Sequence, residues 1–331
     1  MKKYLTVFCS VLMLLSCTAC FETSESTADS DDTNISSSVE DSETDNSEVN
    51  QEESEKSNTK AENDETNDVT EDQETNESEE LSFAEVIAVD NTECSIKITE
   101  IDPDNMWGFA LKTELENKSS DKTYMFSVHS ASINGVQSDP FFATEVAAGK
   151  KSNEEITFSG DELEENGVGN YTDIELTFRV YDSDDWTADE VAIETIHIYP
   201  YGEDKAVKFV REPQDSDNII IDNEYVTVIV TGYTDDDIWG YTAELYLVNK
   251  TDKDVMFSAN DVSVNGYMSD PFYATSVSAG KCAFSSISWS DTTLEENGIT
   301  DIEEIEMVFR AYCSDDWTLD DFANETIILN P

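Results

Sequence analysis

One long pattern is written twice in this chain. The first copy reads Trp107-Gly108, Asn117-Lys118, Asn134-Gly135, Ser138-Asp139-Pro140-Phe141 and Ala148-Gly149-Lys150. It closes with Leu163-Glu164-Glu165-Asn166-Gly167, Phe178-Arg179 and Asp184-Asp185-Trp186-Thr187. The second copy reads Trp239-Gly240, Asn249-Lys250, Asn265-Gly266, Ser269-Asp270-Pro271-Phe272 and Ala279-Gly280-Lys281. It closes with Leu294-Glu295-Glu296-Asn297-Gly298, Phe309-Arg310 and Asp315-Asp316-Trp317-Thr318. Trp239 follows Trp107 by 132 residues and Trp317 follows Trp186 by 131, so one residue is lost in the turn after Asn249. Turn residues held in place over so long a period mean two copies of one folding unit. The expected organisation is repeat 1 over 81–200, a connector over 201–217 and repeat 2 over 218–331. Each repeat is long enough to bury its own core.

The periodicity inside each copy is that of β-strands. Cys94, Ile96 and Ile98 alternate with polar residues, as do Val226, Val228 and Val230. Phe109, Leu111, Thr113 and Leu115 alternate likewise, matched by Tyr241, Ala243, Leu245 and Leu247. So do Ile174, Leu176, Phe178 and Val180, matched by Ile305, Met307, Phe309 and Ala311. Period two buries one face of a strand and wets the other. Asn134-Gly135 and Asn265-Gly266 suit type I′ hairpin turns, where both residues take positive φ. Leu163 to Gly167 and its counterpart read as one helical turn stopped by glycine, with Asp161 and Asp291 placed to cap it. In the connector only Ala206 to Val210 looks strand-like. Short antiparallel strands with regular turns predict an all-β chain of two tandem Ig-like antiparallel β-sandwiches.

The run Asn-Lys-(Ser/Thr), Met-Phe-Ser, Asn-Gly, Asp-Pro-Phe, Ala-Gly-Lys, Glu-Glu-Asn-Gly and Phe-Arg-(Val/Ala)-Tyr resembles the Ig-like extracellular domains of Firmicutes surface lipoproteins. It is similar to the immunoprotective extracellular domains of secreted bacterial proteins. The resemblance covers 81–331 and rests on turn and strand signatures, so it implies a fold and no catalytic residues.

The N-terminus gives an address. Lys2 and Lys3 precede an apolar run from Tyr4 to Leu15, the form of a signal peptide over 1–16. Leu14-Leu15-Ser16-Cys17 resembles a lipobox, with Cys17 as the lipid acceptor and Cys20 as the alternative. Two acyl chains, of the palmitate type, hold a protein on a membrane stably. Of the 75 acidic residues, 23 fall between 21 and 80, against Lys56 and Lys60 alone. So polar a segment cannot repay the entropy of ordering, so 17–80 is expected to be a disordered acidic linker. As a coil of 60 residues it would span roughly 45 Å. The expected location is the outer face of the cell membrane, with the repeats facing outward.

The other 52 acids face 14 bases from residue 81 on, so the repeats are acidic in their own right. That excludes nucleic acid and anionic lipid as partners of these modules. An envelope protein, a neutral glycan or a cation stays compatible. Two acidic loops recur. Asp102 and Asp104, matched by Asp235, Asp236 and Asp237, precede Trp107 and Trp239. Asp182, Asp184 and Asp185, matched by Asp315 and Asp316, precede Trp186 and Trp317. Carboxylates on loops suit Ca²⁺, although neither loop follows the EF-hand spacing. Trp186 and Trp317 beside carboxylates suit a sugar ring, or else core packing. Cys94 stands where the other copy has Val226 and reads as a buried hydrophobe. Cys282 and Cys313 lie symmetrically about the Leu294–Gly298 turn, and they are expected to pair where the first copy has Lys151 and Asp182. Asn117-Lys118-Ser119 and Asn249-Lys250-Thr251 match the glycosylation sequon. His129 and His197 face Asn260 and Ile328 in the other copy, and no triad, zinc spacing or phosphate loop is visible. The reading is a non-enzymatic surface lipoprotein that binds or interacts at the envelope and needs no cofactor. The alternatives are a Ca²⁺- or glycan-binding module and an accessory of an envelope enzyme.

Overall fold

The computed structural model describes residues 81–185, 187–236 and 238–331. The signal peptide, Cys17, Cys20, the acidic linker, Trp186 and Asp237 lie outside the described residues.

Alternation makes two sheets per repeat. In repeat 1, β1 (Val86–Asp90), β2 (Cys94–Asn105), β3 (Gly108–Asn117) and β7 (Lys151–Phe158) pair antiparallel in the order β1-β2-β3-β7. The facing sheet holds β4 (Tyr124–Ile133), β8 (Ile174–Asp182) and β9 (Ala192–Ile198), with short β5 (Val136–Ser138) and β6 (Ala143–Val146) on β4. Repeat 2 has the same plan. β10 (Asn218–Asp222), β11 (Val226–Asp236), β12 (Gly240–Asn249) and β16 (Cys282–Trp289) face β13 (Val255–Val264), β17 (Ile305–Cys313) and β18 (Ala323–Leu329). Here β14 (Tyr267–Met268) and β15 (Tyr273–Val277) pair with β13. The chain is therefore all-β, in antiparallel sheets packed as Ig-like sandwiches. Ile96, Ile98, Leu111, Leu115, Phe126, Phe158 and Phe178 fill the first core; Val228, Leu245, Phe257, Trp289 and Phe309 fill the second.

The duplicated motifs are the joints of this frame. Asn134 and Asn265 have φ 53° and 49°, and Gly135 and Gly266 have 85° and 80°, as the I′ turn requires. Asn134 also uses its side chain: Nδ2 donates to Asn170 O at 2.8 Å, and Oδ1 accepts from Thr172 N at 3.0 Å. The helical turns are α1 (Gly160–Glu165) and α2 (Asp291–Glu296). Each ends on a glycine of positive φ, Gly167 at 75° and Gly298 at 69°. Val168 N reaches Leu163 O and Ile299 N reaches Leu294 O, both at 2.9 Å, which closes a Schellman cap. The cap of α2 is Ser290, whose Oγ accepts from Thr293 N; Asp291, the expected cap, is the first helical residue. The side chain of its counterpart Asp161 lies outside the description.

The sequon asparagines are buried corners. Asn249 Nδ2 donates to Lys253 O, Val277 O and Ser278 O at 2.7, 2.9 and 3.0 Å, and Oδ1 accepts from Thr251 N at 2.9 Å. Asn117 does the same with Lys122 O, Val146 O and Ser119 N. The neighbouring lysine closes the facing turn. Lys118 Nζ meets Asp90 Oδ1 at 2.6 Å and Asn91 O at 2.8 Å; Lys250 Nζ meets Asp222 Oδ1 and Asn223 O, both at 2.7 Å.

Cys282 and Cys313 do not pair: both thiols are free and buried, as is that of Cys94. Strand geometry gives the reason. Cys282 opens β16 opposite Val248, whereas Cys313 ends β17, in the facing sheet, opposite Val255. Ala283, Ile287 and Trp289 point into the second core, so Cys282 points out of it. Met307, Phe309 and Ala311 point inward, and Cys313 keeps their phase. The first-copy positions do not pair either: Lys151 meets Glu114 and Glu116, while Asp182 meets Lys122 at 2.9 Å.

Cys282 points at repeat 1, and here the two repeats join. Val136 of β5 and Cys282 of β16 are parallel partners, so one nine-stranded sheet runs through both. Cys282 N donates to Gly135 O at 3.1 Å. Gln137 grips the neighbouring strand with both ends of its amide: Nε2 donates to Ser276 O at 2.7 Å and Oε1 accepts from Ser278 N at 2.9 Å. Lys281 Nζ meets Glu175 Oε2 at 2.5 Å. The connector is not a strand at 206–210. It makes one 3-10 turn at Glu203–Lys205, then threads past the Asn134 turn, where Phe209 N donates to Asn134 O at 2.8 Å. Phe209 lies edge-on to Phe284, which lies against Tyr246; the ring centroids are 6.0 and 5.1 Å apart. Arg211 covers Tyr246 at 5.5 Å and forks onto Asp217 at 2.7 and 2.8 Å, and that guanidinium holds the Asp217 carboxyl below its ordinary range. Tyr246, Cys282, Ile229, Val248 and Phe284 thus extend the first core across the junction.

Two outcomes test these joints. Asn249→Ala removes a buried amide shared by three backbone carbonyls, so urea unfolding should show a loss of about 3 kcal/mol; a loss within error would contradict the corner's role. Dithiothreitol should leave the melting temperature of the repeats unchanged, and thiol titration after denaturation without reductant should find Cys94, Cys282 and Cys313 all free.

Candidate functional site

Each sandwich has two ends, and the two recurring tryptophan loops sit on opposite ones. The β2–β3 and β11–β12 hairpin tips carry Trp107 and Trp239, at the end that also holds the Asn-Gly turn and the short helix. The β8–β9 and β17–β18 loops leave from the other end, beside the asparagine corner. Trp107, Trp239 and Trp317 are exposed, at 71, 50 and 77 %. Packing into the core is the role of Trp289 instead, which is buried and donates Nε1–H to Ser269 O at 3.1 Å. Phe141 and Phe272 of the duplicated Asp-Pro-Phe are exposed as well, at 81 and 82 %. A single exposed apolar residue needs no explanation. Large aromatics exposed at the same place in both copies, where neither core requires them, form a surface pattern.

Trp317 has the best-defined surroundings. Its ring lies 5.4 Å from Tyr312, tilted by 37°. Arg310 lies over the Tyr312 ring at 4.9 Å, held by Asp321 through two bonds of 3.0 and 2.9 Å. That guanidinium lowers the Asp321 carboxyl from its ordinary value. The result is an aromatic ledge braced from beneath. Repeat 1 keeps the brace: Arg179 lies 4.5 Å over Tyr181 and meets Glu190 at 3.3 Å.

The acidic residues of these loops do not converge. Asp316 Oδ1 accepts from Thr318 N and Thr318 Oγ1 at 3.0 and 2.6 Å, and Asp185 does the same with Thr187 at 3.2 and 2.7 Å. These contacts lower the Asp316 carboxyl. Asp182 is held by Lys122 and by Asp184 N. Asp315 accepts from Ser314 Oγ at 3.4 Å. Among the described residues no three histidine, cysteine, aspartate or glutamate side chains could hold a metal ion. The carboxylates of Asp182, Asp185, Asp315 and Asp316 order their own turns.

The junction adds a feature that neither copy has alone. A groove of about 370 Å³ opens between the repeats, lined by His129, Gln137, Asp139, Asp254, Thr275 and Ser276. Desolvation by its walls raises the Asp139 carboxyl above its ordinary value. No lysine or arginine lines it. Asp254 ties the groove to the aromatic ledge, because its carbonyl accepts from Ser314 N at 3.2 Å, three residues before Trp317. Such a lining offers hydrogen-bond acceptors and hydroxyls, which suit neutral polar or cationic groups and repel anions. His197, away from the groove, is occupied by Asp173 at 2.7 Å and Glu175 at 3.3 Å.

The residues that build the junction were not found by motif. Ile229, Tyr246, Val248, Cys282 and Phe284 stand where repeat 1 has Lys97, Glu114, Glu116, Lys151 and Asn153. The signal that could have found them is this swap, apolar for polar, confined to outward positions of strands the copies share. The turn clamps Asn91 and Asn223 were missed also. Each accepts two backbone N–H groups on Oδ1, and Nδ2 reaches across to Val191 O or Phe322 O.

No family model and no curated protein matches the chain. Among solved structures it is similar to a red sea bream transglutaminase, at 10% identity over 73% of this chain and 31% of that one, with a TM-score of 0.22. It is also similar to the YadV chaperone, at 10% identity over 66% of this chain and 92% of that one, with a TM-score of 0.20. The chain spans less than a third of the transglutaminase's length.

Trp317→Ala is expected to leave stability within about 0.5 kcal/mol, since the ring is exposed. Trp289→Ala should cost about 3–5 kcal/mol. Chemical denaturation of both variants checks the assignment, and a large loss in the first would return Trp317 to the core.

Proposed function

We propose that this chain is a non-enzymatic surface lipoprotein, held by a lipid on Cys17 and spaced from the membrane by the acidic segment up to residue 80. It presents two Ig-like modules, 81–200 and 218–331, for binding at the bacterial envelope. The observation that carries this reading is the exposure of large aromatics at matched positions of both copies: Phe141 and Phe272, Trp107 and Trp239. Exposed aromatic surface is kept where a partner covers it. The acidity of the modules directs them away from anionic surfaces and towards neutral or basic partners.

A second reading is favoured by the groove and the Trp317 ledge together. A flat aromatic beside hydroxyl and carboxylate acceptors suits a neutral glycan better than Ca²⁺, because Asp185 and Asp316 are already engaged by their own loop threonines.

Labelling with a palmitate analogue should mark the protein in the membrane fraction and be lost in Cys17→Ala but kept in Cys20→Ala. Unlabelled mature protein in the soluble fraction would contradict the anchor. On the same cells, an array of neutral envelope glycans should retain wild type and lose Trp317→Ala; binding unchanged by that substitution would remove the glycan reading and leave a protein partner.

A further inference from the structure

The junction between the repeats has a seat and a plug, and the duplication places one unfilled example of each at the outer ends of the molecule. The seat on repeat 1 is the Asn134-Gly135 turn, the edge of β5 and Glu175. The plug on repeat 2 is the Ala279-Gly280-Lys281 turn and the first residue of β16. Gly135 O takes Cys282 N, Val136 pairs with Cys282, and Glu175 takes Lys281.

Repeat 2 carries the same seat at its far end. Asn265-Gly266 makes the same turn, and β14 occupies the place of β5 on β13. Glu306 stands opposite Ser263 as Glu175 stands opposite Ser132. Among the described residues nothing covers this seat: Tyr267 and Met268 are exposed at 53 and 67 %, whereas Val136 at the filled seat is fully buried. Repeat 1 carries the same plug at its own far end, Ala148-Gly149-Lys150, followed by Lys151 at the head of β7. Lys150 and Glu306 are exposed, and neither side chain makes an ion pair among the described residues.

We infer that the far end of repeat 2 seats the far end of repeat 1 of a second copy, head to tail, with Lys151 beside Tyr267 and Lys150 on Glu306. The surface chemistry matches the two halves in sign: an acid waits at the seat and a base at the plug. Repeat 1 offers Glu114 and Asn153 where repeat 2 stacks Tyr246 and Phe284 at the filled junction, so the copy-to-copy contact has no such aromatic stack. The contact is therefore small and reversible, and the net charge of −57 opposes it. Crowding on a membrane raises the local concentration that such a contact needs. A heterologous contact of this kind builds rows or rings rather than symmetric dimers.

Disulfide trapping between full-length single variants tests this. Lys151→Cys mixed with Tyr267→Cys and oxidised gently should give a 151–267 adduct several-fold above that of Glu194→Cys with Tyr267→Cys. Glu306→Lys in the Tyr267→Cys chain should return the yield to that control. The native cysteines are the same in every mixture and cancel. Sedimentation of the wild-type chain gives an independent measure, and the average mass should rise with concentration. Adduct at the control level, adducts joining 267 to 267, or a monomer at every concentration would overturn the inference.

Discussion

The junction depends on one aromatic wedge. Phe209 of the connector enters between the Asn134 turn and the outward face of repeat 2, where it meets Phe284 and, through it, Tyr246. Phe209 and Phe284 are partly buried, so each contributes less than the roughly 1.5–3 kcal/mol of a fully buried side chain, and aromatic pairs add about 0.5–1.5 kcal/mol. The Lys281–Glu175 bridge, with side chains 18 and 23 % accessible, and the Val136–Cys282 strand pairing add polar contacts beside the wedge. Those polar contacts set register and direction; the rings supply cohesion.

The wedge explains why two copies of one sequence pattern diverge where they do. An outward sheet face open to water is best served by charge, and repeat 1 keeps Lys97, Glu114, Glu116 and Lys151 there, with Lys151 bridged to both glutamates. The same face of repeat 2 is covered, and four of the matching positions are Ile229, Tyr246, Val248 and Cys282. Inward positions change in size, as at Leu111 and Ala243 or Phe158 and Trp289, but stay mostly apolar, since both cores need the same alternation. The groove beside the junction follows from this docking, because its walls come from both copies. So does the link between that groove and the Trp317 ledge through Asp254 and Ser314.

Much of the frame was legible in the sequence because it is local. The Asn-Gly turns, the helical turns closed by glycine and the alternating strands depend on residues a few positions apart. Cys282 and Cys313 show where local reading fails. Symmetry about a turn brings two strands to one end of the sandwich without fixing which way their side chains face: Cys282 points outward from one sheet while Cys313, in the facing sheet, keeps the inward phase. The acidic loops pose a different difficulty. Spacing showed carboxylates near tryptophans, but Thr187 and Thr318 capture Asp185 and Asp316 within two residues, and no spacing rule weighs that competition. Exposure of Trp317 could not be read at all, because a tryptophan after a strand serves a core or a surface equally well.

The central claim is that the wedge makes one rigid body of the two repeats. Residual dipolar couplings measured separately on backbone amides of 81–200 and 218–331 test it directly. A single alignment tensor should fit both sets with the repeats in the orientation described. Two tensors of different magnitude would mean that the repeats move independently, and the junction would then be a passing contact.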